Sequence, residues 1–193
     1  MCVHAEAGAE LDPRQRAVLA FWEAARGGLR TPLVSDLDPA ALDRRAMKNL
    51  ILAEYLDDAG LVRYRLASEE MIQRWGENFR GRRSDELFGG HYHDFLAYGF
   101  ALARRERCPV YSQSTYRWSG GGSGRSSQLL MPFSAEPDGV PVRVLIVQVF
   151  PDDDDPRDFP AIRSLDEAAI SGDRVVALAP PGACACKAGT PAA

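Results

Sequence analysis

The most constraining feature of the sequence is a segment near residue 150 that is apolar on both sides of any strand it could form. Its aliphatic residues alternate between two faces, with Val142, Val144 and Ile146 on one and Leu145, Val147 and Val149 on the other. An antiparallel strand usually keeps one face in water, so a strand of this kind needs cover on both faces. The chain must therefore place protein layers on both sides of the sheet that contains it.

Four other segments show the alternation and turn residues that are typical of strands. Segments 50–55 and 62–66 flank the turn Asp57-Asp58-Ala59-Gly60, and segments 110–118 and 127–133 flank the glycine-rich loop 120–124. Helical patterns lie between the two pairs, at 69–75, 84–88 and 91–105, and Pro109 prevents the last of these helices from continuing.

An amphipathic helix is predicted near the N-terminus. Asp12 and Pro13 form a helix start, Phe21 and Trp22 lie on its apolar stripe, and the pair at 27–28 is a glycine stop. This helix is the natural cover for the second face of the doubly apolar strand. It could provide that cover within one chain or across a dimer.

The order of elements predicts an α+β domain. We expect a five-stranded antiparallel sheet with helices on one face and the N-terminal amphipathic helix on the other. The expected organisation is a helical extension at 1–29, the domain at 30–150 and a C-terminal extension at 151–193. In that extension we expect an acidic solvated loop at 152–155, a helix from Ser164, a docked apolar stretch at 175–178 and disorder after Pro180.

Several short motifs occur along the chain in an order and spacing that resemble those of a known protein family. They are Phe21-Trp22…Arg26-Gly27-Gly28, Ser35-Asp36-Leu37-Asp38-Pro39, Arg63-Tyr64-Arg65-Leu66, Gly76-Glu77-Asn78-Phe79-Arg80-Gly81-Arg82, Pro109-Val110-Tyr111 and Leu130-Met131-Pro132-Phe133-Ser134. In order and spacing they resemble the alphaproteobacterial single-domain PAS proteins of largely unknown function. The resemblance covers about residues 19–150 and implies a PAS-type sensory or protein-interaction module. The chain departs from the family pattern at Ala46-Met47 and at Ser68-Glu69, both at the mouth of the presumed pocket.

Composition narrows the classes of function. The net charge of -4 argues against nucleic-acid binding, which usually needs a basic surplus. No apolar run approaches the roughly 18 residues of a membrane span. The first residues lack the pattern of a signal peptide and the four cysteines suit free thiols, so we expect a cytoplasmic protein. Cys184 and Cys186 have no second ligand pair, and no metal site is predicted.

Aromatic residues are expected to converge between the sheet and the middle helices. The candidate ligand-binding residues are Tyr64, Trp75, Phe79, His91, Phe95, Ser114, Tyr116 and Met131. Two interpretations stay open, a filled core and a mostly apolar pocket with a few polar groups. A homodimer and a protein partner are expected to carry any signal.

Catalytic and cofactor alternatives have few residues to support them. We predict no enzyme, with a small cone-shaped enzyme of the ketosteroid-isomerase type as the alternative. Its acid or base would have to come from Glu69, Glu70, His91 or Asp94. Some PAS domains bind haem through a histidine, for which His91 is the candidate here. Cys108 lacks the helix motif of light-sensing flavin domains, and the identity of any cofactor stays open.

Overall fold

The computed structural model describes residues 10–117, 123–150 and 170–178. The elements are numbered in chain order within each class. Helices are α1 Pro13–Arg26, α2 Arg44–Met47, α3 Glu69–Trp75, α4 Ser84–Leu87 and α5 Gly90–Glu106; strands are β1 Leu50–Tyr55, β2 Val62–Ala67, β3 Val110–Arg117, β4 Ser123–Ser134, β5 Pro141–Val149 and β6 Ile170–Ala177. The expected loop tip at 120–122, Trp118, the acidic run 152–155, the helix from Ser164 and the tail after Pro180 lie outside the described residues.

Local sequence signals set the bounds of α1. The Asp12 side chain accepts a hydrogen bond from the Arg14 amide at 2.8 Å, and the Gln15 side chain accepts one from the Asp12 amide at 3.2 Å. This reciprocal cap satisfies backbone donors at the helix start. The helix ends at Gly27, whose φ of 52° favours glycine.

The sheet has six strands in the order β2-β1-β5-β4-β3-β6. Every neighbouring pair of these strands is antiparallel. The expectation of five strands is wrong, because residues 170–177 add a sixth strand along β3. Gly172 and Asp173 hid this strand, since both residue types are depleted in strands. Gly172 is required there, because a Cβ atom would lie 2.2 Å from the Phe95 ring.

From Val144 to Val149, strand β5 is covered on both faces by its own chain, whereas Val142, which was expected to need cover, is exposed. We call the face that packs against α3, α4 and α5 the inner face, and the face that packs against α1 and α2 the outer face. Val144 and Ile146 belong to the inner cluster. On the outer face, Val18 and Trp22 of α1 share a buried cluster with six residues of β4 and β5, which are Leu129, Met131, Phe133, Leu145, Val147 and Val149. Among the described residues no helix is long and apolar enough to cross a membrane.

Candidate functional site

Aromatic side chains form a continuous layer over the inner face. Trp75 of α3 lies 4.7 Å from Phe79, 4.9 Å from Phe88 and 6.4 Å from Tyr64, measured between ring centroids. Phe88 continues the layer to Tyr92 at 4.9 Å. Edge-on and tilted contacts of this kind are the favoured geometries of aromatic pairs. They fix the helices over the sheet with a rigid, mostly apolar surface.

Polar residues of the sheet lie beneath that layer. Three neighbouring strands, β3, β4 and β5, place them on the inner face, on the same side as Tyr116, Leu130 and Ile146. All five are buried, and they are Ser112, Ser114, Ser126, Gln128 and Gln148. A polar patch in the middle of a buried face is costly unless its groups are hydrogen-bonded.

Two tyrosines satisfy part of this patch. The Tyr116 hydroxyl lies 2.6 Å from Ser126 Oγ, and the Tyr92 hydroxyl lies 3.3 Å from Ser114 Oγ. Burial raises the pKa of Tyr92 well above its ordinary value and also raises the pKa of Tyr116. Both hydroxyls therefore stay protonated at physiological pH and can donate hydrogen bonds.

Three buried polar atoms of the inner cluster and its sheet remain without partners among the described residues, and they are Gln148 Oε1, Trp75 Nε1 and the Tyr55 hydroxyl. Gln148 is fully buried, and its Nε2 donates only long hydrogen bonds, at 3.4 Å to Ser126 and 3.5 Å to Tyr116. Its Oε1 has no hydrogen-bond partner among the described residues, and neither does Nε1 of Trp75, which is 4% exposed. Each unpaired buried group costs about 1–3 kcal/mol. The inner face thus holds an unused acceptor on Gln148, an unused donor on Trp75 and the unpaired hydroxyl of Tyr55.

The structure brings most of the sequence-predicted site residues together. Tyr64, Trp75, Phe79 and Tyr116 belong to the inner cluster. Phe95 packs against that cluster, and its ring stacks on Tyr92 at 6.0 Å. Ser114 contacts the cluster through its hydrogen bond to Tyr92.

His91 and Met131 lie elsewhere. His91 is exposed, and its Nε2 lies 2.9 Å from the backbone oxygen of Ile170, so it ties α5 to β6. Met131 is fully buried on the outer face, because odd-numbered positions of β4 point away from the middle helices. The prediction that Met131 lies with the other candidate residues is wrong, because its side chain is on the opposite face of the sheet.

Sequence reasoning missed Tyr92 and Gln148 as members of this site. The signal for Gln148 was available, since a glutamine interrupts a strand that is otherwise apolar on both faces. A polar residue in so buried a strand needs a partner, and its position between Val147 and Val149 places it on the inner face. Tyr92 is adjacent to His91 in the sequence, but it points inward, whereas His91 faces solvent.

The four acid–base candidates do not reach the inner face. Glu69, Glu70, His91 and Asp94 are all exposed. The two glutamates lie in the first turn of α3, where negative charge suits the helix dipole. The proposed cone-type enzyme therefore loses the groups on which it depended. Among the described residues, no three His, Cys, Asp or Glu side chains are grouped as a metal site.

Fold and site together define an α+β domain in which helices enclose an aromatic and polar inner face. A sequence model described as a PAS domain matches residues 11–146. The match covers most of the chain, and the protein belongs to the PAS domain family. This membership supports a sensory or interaction role at the level of the class.

Several solved structures show distant similarity. The light-state structure of the blue-light photoreceptor Aureochrome1 LOV is 15% identical, with 57% of this chain and 86% of that chain covered and a TM-score of 0.37. The Rhodobacter sphaeroides LOV protein is 14% identical, with 75% of this chain and 71% of that chain covered and a TM-score of 0.42. The PAS domain of an HTR-like protein from Haloarcula marismortui is 16% identical, with 52% of this chain and 80% of that chain covered and a TM-score of 0.32. No curated protein matches the chain.

Proposed function

We propose that the protein is a non-catalytic PAS-type sensory or protein-interaction module that binds a small, mostly apolar molecule on the inner face. The observation that carries this proposal is the half-used amide of Gln148. Either assignment of its oxygen and nitrogen leaves one end unpaired, because its partners among the described residues lie on one side. A ligand with a complementary polar group would remove that cost.

The chemistry of the inner face sets the class of molecule. The aromatic layer of Trp75, Phe79 and Tyr92 suits a flat apolar body. Trp75 Nε1 offers a donor, and Gln148 offers an acceptor or, if its amide is flipped, a donor. We therefore propose a planar ligand with few polar atoms, held by stacking and oriented by one or two hydrogen bonds.

Signal output is proposed to pass through contact with other protein chains. Membership of the PAS family supports a homodimer or a separate protein partner. A cytoplasmic location belongs to the same proposal, and the buried Cys108, which forms no disulfide to any described residue, suits a reducing compartment. Light scattering of the full chain tests the dimer, and a monomeric mass at all concentrations would contradict it.

Native mass spectrometry of protein purified without denaturation tests the ligand. We expect the wild type to carry a non-covalent small molecule, and we expect Gln148→Leu to lose it. Gln73→Leu makes the same chemical change at an exposed position of α3 and should keep the molecule. The filled-core interpretation makes the opposite forecast. It predicts no bound mass in the wild type.

A further inference from the structure

A second cleft lies on the outer face, on the opposite side of the sheet from the proposed ligand. Its volume is about 360 Å³, and it is an open cleft bounded by the start of α1 and by the outer surfaces of β3, β4 and β5. Leu11, Val149 and the ring of Tyr111 give it apolar walls. A cleft of this size accommodates a small organic molecule.

The polar groups around this cleft are mostly hydrogen-bond donors. The guanidinium groups of Arg16 and Arg125 and the amide of Gln113 line it. Arg125 is exposed, and neither Arg125 nor Gln113 has a side-chain hydrogen bond or ion pair to any described residue. Arg16 is held over the helix start by its bond to the backbone oxygen of Leu11 at 2.5 Å.

Tyr111 supplies a further hydrogen-bond donor at the wall of the cleft. Its side chain is 4% exposed, and its hydroxyl forms no hydrogen bond to any described residue. Its position on β3 places it on the outer face beside Gln113, in the wall of the cleft. Its ring is packed in the wall, and its hydroxyl is not one of the buried polar atoms that lack a partner, so it is available to donate to a molecule in the cleft.

The charges that remain at the cleft favour an anion. The Asp12 carboxylate is already paired with Arg14, whose Nε lies 2.9 Å from Oδ1. Glu10 is then the other carboxylate in the lining, against two guanidinium groups. The excess of donors over free acceptors matches the oxygen atoms of a carboxylate, which an arginine can bind through two parallel hydrogen bonds.

We propose that this outer cleft binds a small organic carboxylate, with the carboxylate on Arg16, Arg125 and the Tyr111 hydroxyl and with an apolar body against Leu11 and Val149. Ser127 also lines the cleft and accepts a hydrogen bond from Gln15 of α1 at 3.1 Å. A molecule bound here would therefore contact the residue that anchors α1 to the sheet.

Calorimetric titration of the full chain with octanoate and octanamide tests the proposal, because the two probes have the same shape and differ in charge. Octanoate is expected to bind about tenfold more tightly than octanamide. Arg125→Gln and Tyr111→Phe should each weaken octanoate several-fold and leave octanamide unchanged. Arg105→Gln, an arginine outside the cleft, should change neither.

Three results would overturn this site. The first is equal affinity for octanoate and octanamide, and the second is no binding of octanoate at all. The third is a loss of octanoate binding in Gln148→Leu with normal binding in Arg125→Gln, which would place the probe on the inner face. Unchanged octanoate binding in Gln148→Leu supports the outer cleft, whatever the inner face proves to bind.

Discussion

The two faces of the sheet each bury one tryptophan, and they treat its indole nitrogen differently. On the outer face, Trp22 is fully buried and its Nε1 donates to the backbone oxygen of Pro132 at 2.8 Å. On the inner face, Trp75 is almost as deeply buried, but its Nε1 has no partner among the described residues. The same residue type at similar burial is thus complete on one face and incomplete on the other.

Two buried glutamines repeat the contrast. The Gln15 amide donates to Ser127 and to the backbone oxygen of Val147, and its oxygen accepts from the Asp12 amide. The Gln148 amide is used at one end only, within the part of the chain that the structure describes. Natural interiors pair nearly all buried polar groups, so an exception calls for a functional explanation. Folding alone pairs Trp22 and Gln15 on the outer face, whereas Trp75 and Gln148 on the inner face each keep an unpaired atom.

The largest predicted effect tests whether loose packing could explain the unpaired atoms. Gly60, in the turn between β1 and β2, has a φ of 96°, and an added Cβ would lie 2.0 Å from the backbone oxygen of Ala97 in α5. Gly60→Ala should therefore lower the free energy of unfolding by about 3 kcal/mol or more. Urea denaturation measures it.

Gly27 is the matched control for that experiment. It also has a positive φ, but a Cβ atom added there would meet no atom within 4 Å. Gly27→Ala should cost about 1–3 kcal/mol and less than Gly60→Ala, because its φ of 52° and ψ of -116° impose backbone strain but no steric clash. A similarly small cost for Gly60→Ala would mean that α5 can move away from the sheet, and the unpaired atoms would then reflect looseness.

A second prediction compares the two tryptophans directly. Both Trp→Phe changes remove similar buried area, but only Trp22→Phe breaks a hydrogen bond. We expect Trp22→Phe to lower the free energy of unfolding by about 1 kcal/mol more than Trp75→Phe, within a total of about 2–3 kcal/mol. Denaturation curves of the two ligand-free variants measure these losses. Equal losses of unfolding free energy would contradict the proposed difference in hydrogen bonding between the two faces.

The glutamines give a third and smaller prediction. Gln15→Leu breaks three hydrogen bonds and should destabilise the fold by about 1–2 kcal/mol. Gln148→Leu replaces a half-satisfied amide with an apolar group of similar size, so the ligand-free protein should be unchanged or slightly more stable. Thermal denaturation after removal of any bound molecule measures both. A marked destabilisation by Gln148→Leu would show that its long hydrogen bonds are strong.

Much of this fold could be predicted from the sequence, because local signals and tertiary packing agree there. The predicted bounds of β1 and α3 match the structure. The two-sided apolar pattern of β5 correctly required a layer on each face of the sheet. Such positions are predictable because period and burial report the same geometry.

The features of the fold and of the site that could not be predicted depend on contacts between segments that are distant in the sequence. Strand β6 carries Gly172, which packs against Phe95 of α5. The residues next to Gly172 in the sequence do not predict that contact. Met131 was placed on the wrong face because the pattern gives alternation but not which side faces which helix. The sequence could not predict that Gln148 and Trp75 each keep an unpaired polar atom. That outcome depends on which side chains the fold brings within hydrogen-bonding distance of them.

The smallest predicted effect concerns an ion-pair group at the end of the outer face that β1, β2 and β5 share. A hydrogen bond from Arg143, together with the charges of Arg143, Arg65 and Arg63, lowers the pKa of Glu54. Its contribution to stability is therefore complete above the ordinary glutamate pKa of about 4.3 and is lost as the pH falls through the lower folded value. Glu54→Gln should cost about 1 kcal/mol or less at pH 7, because partly exposed pairs are weak.

The pH dependence separates this contribution from a loss of packing. In Glu54→Gln, the decline of stability between about pH 5 and pH 3 should be shallower than in the wild type, because the titrating carboxylate is gone. Equal slopes in the two proteins would mean that the arginines hold no charge-dependent contact here. The outer face would then be stabilised by its apolar cluster and buried hydrogen bonds alone.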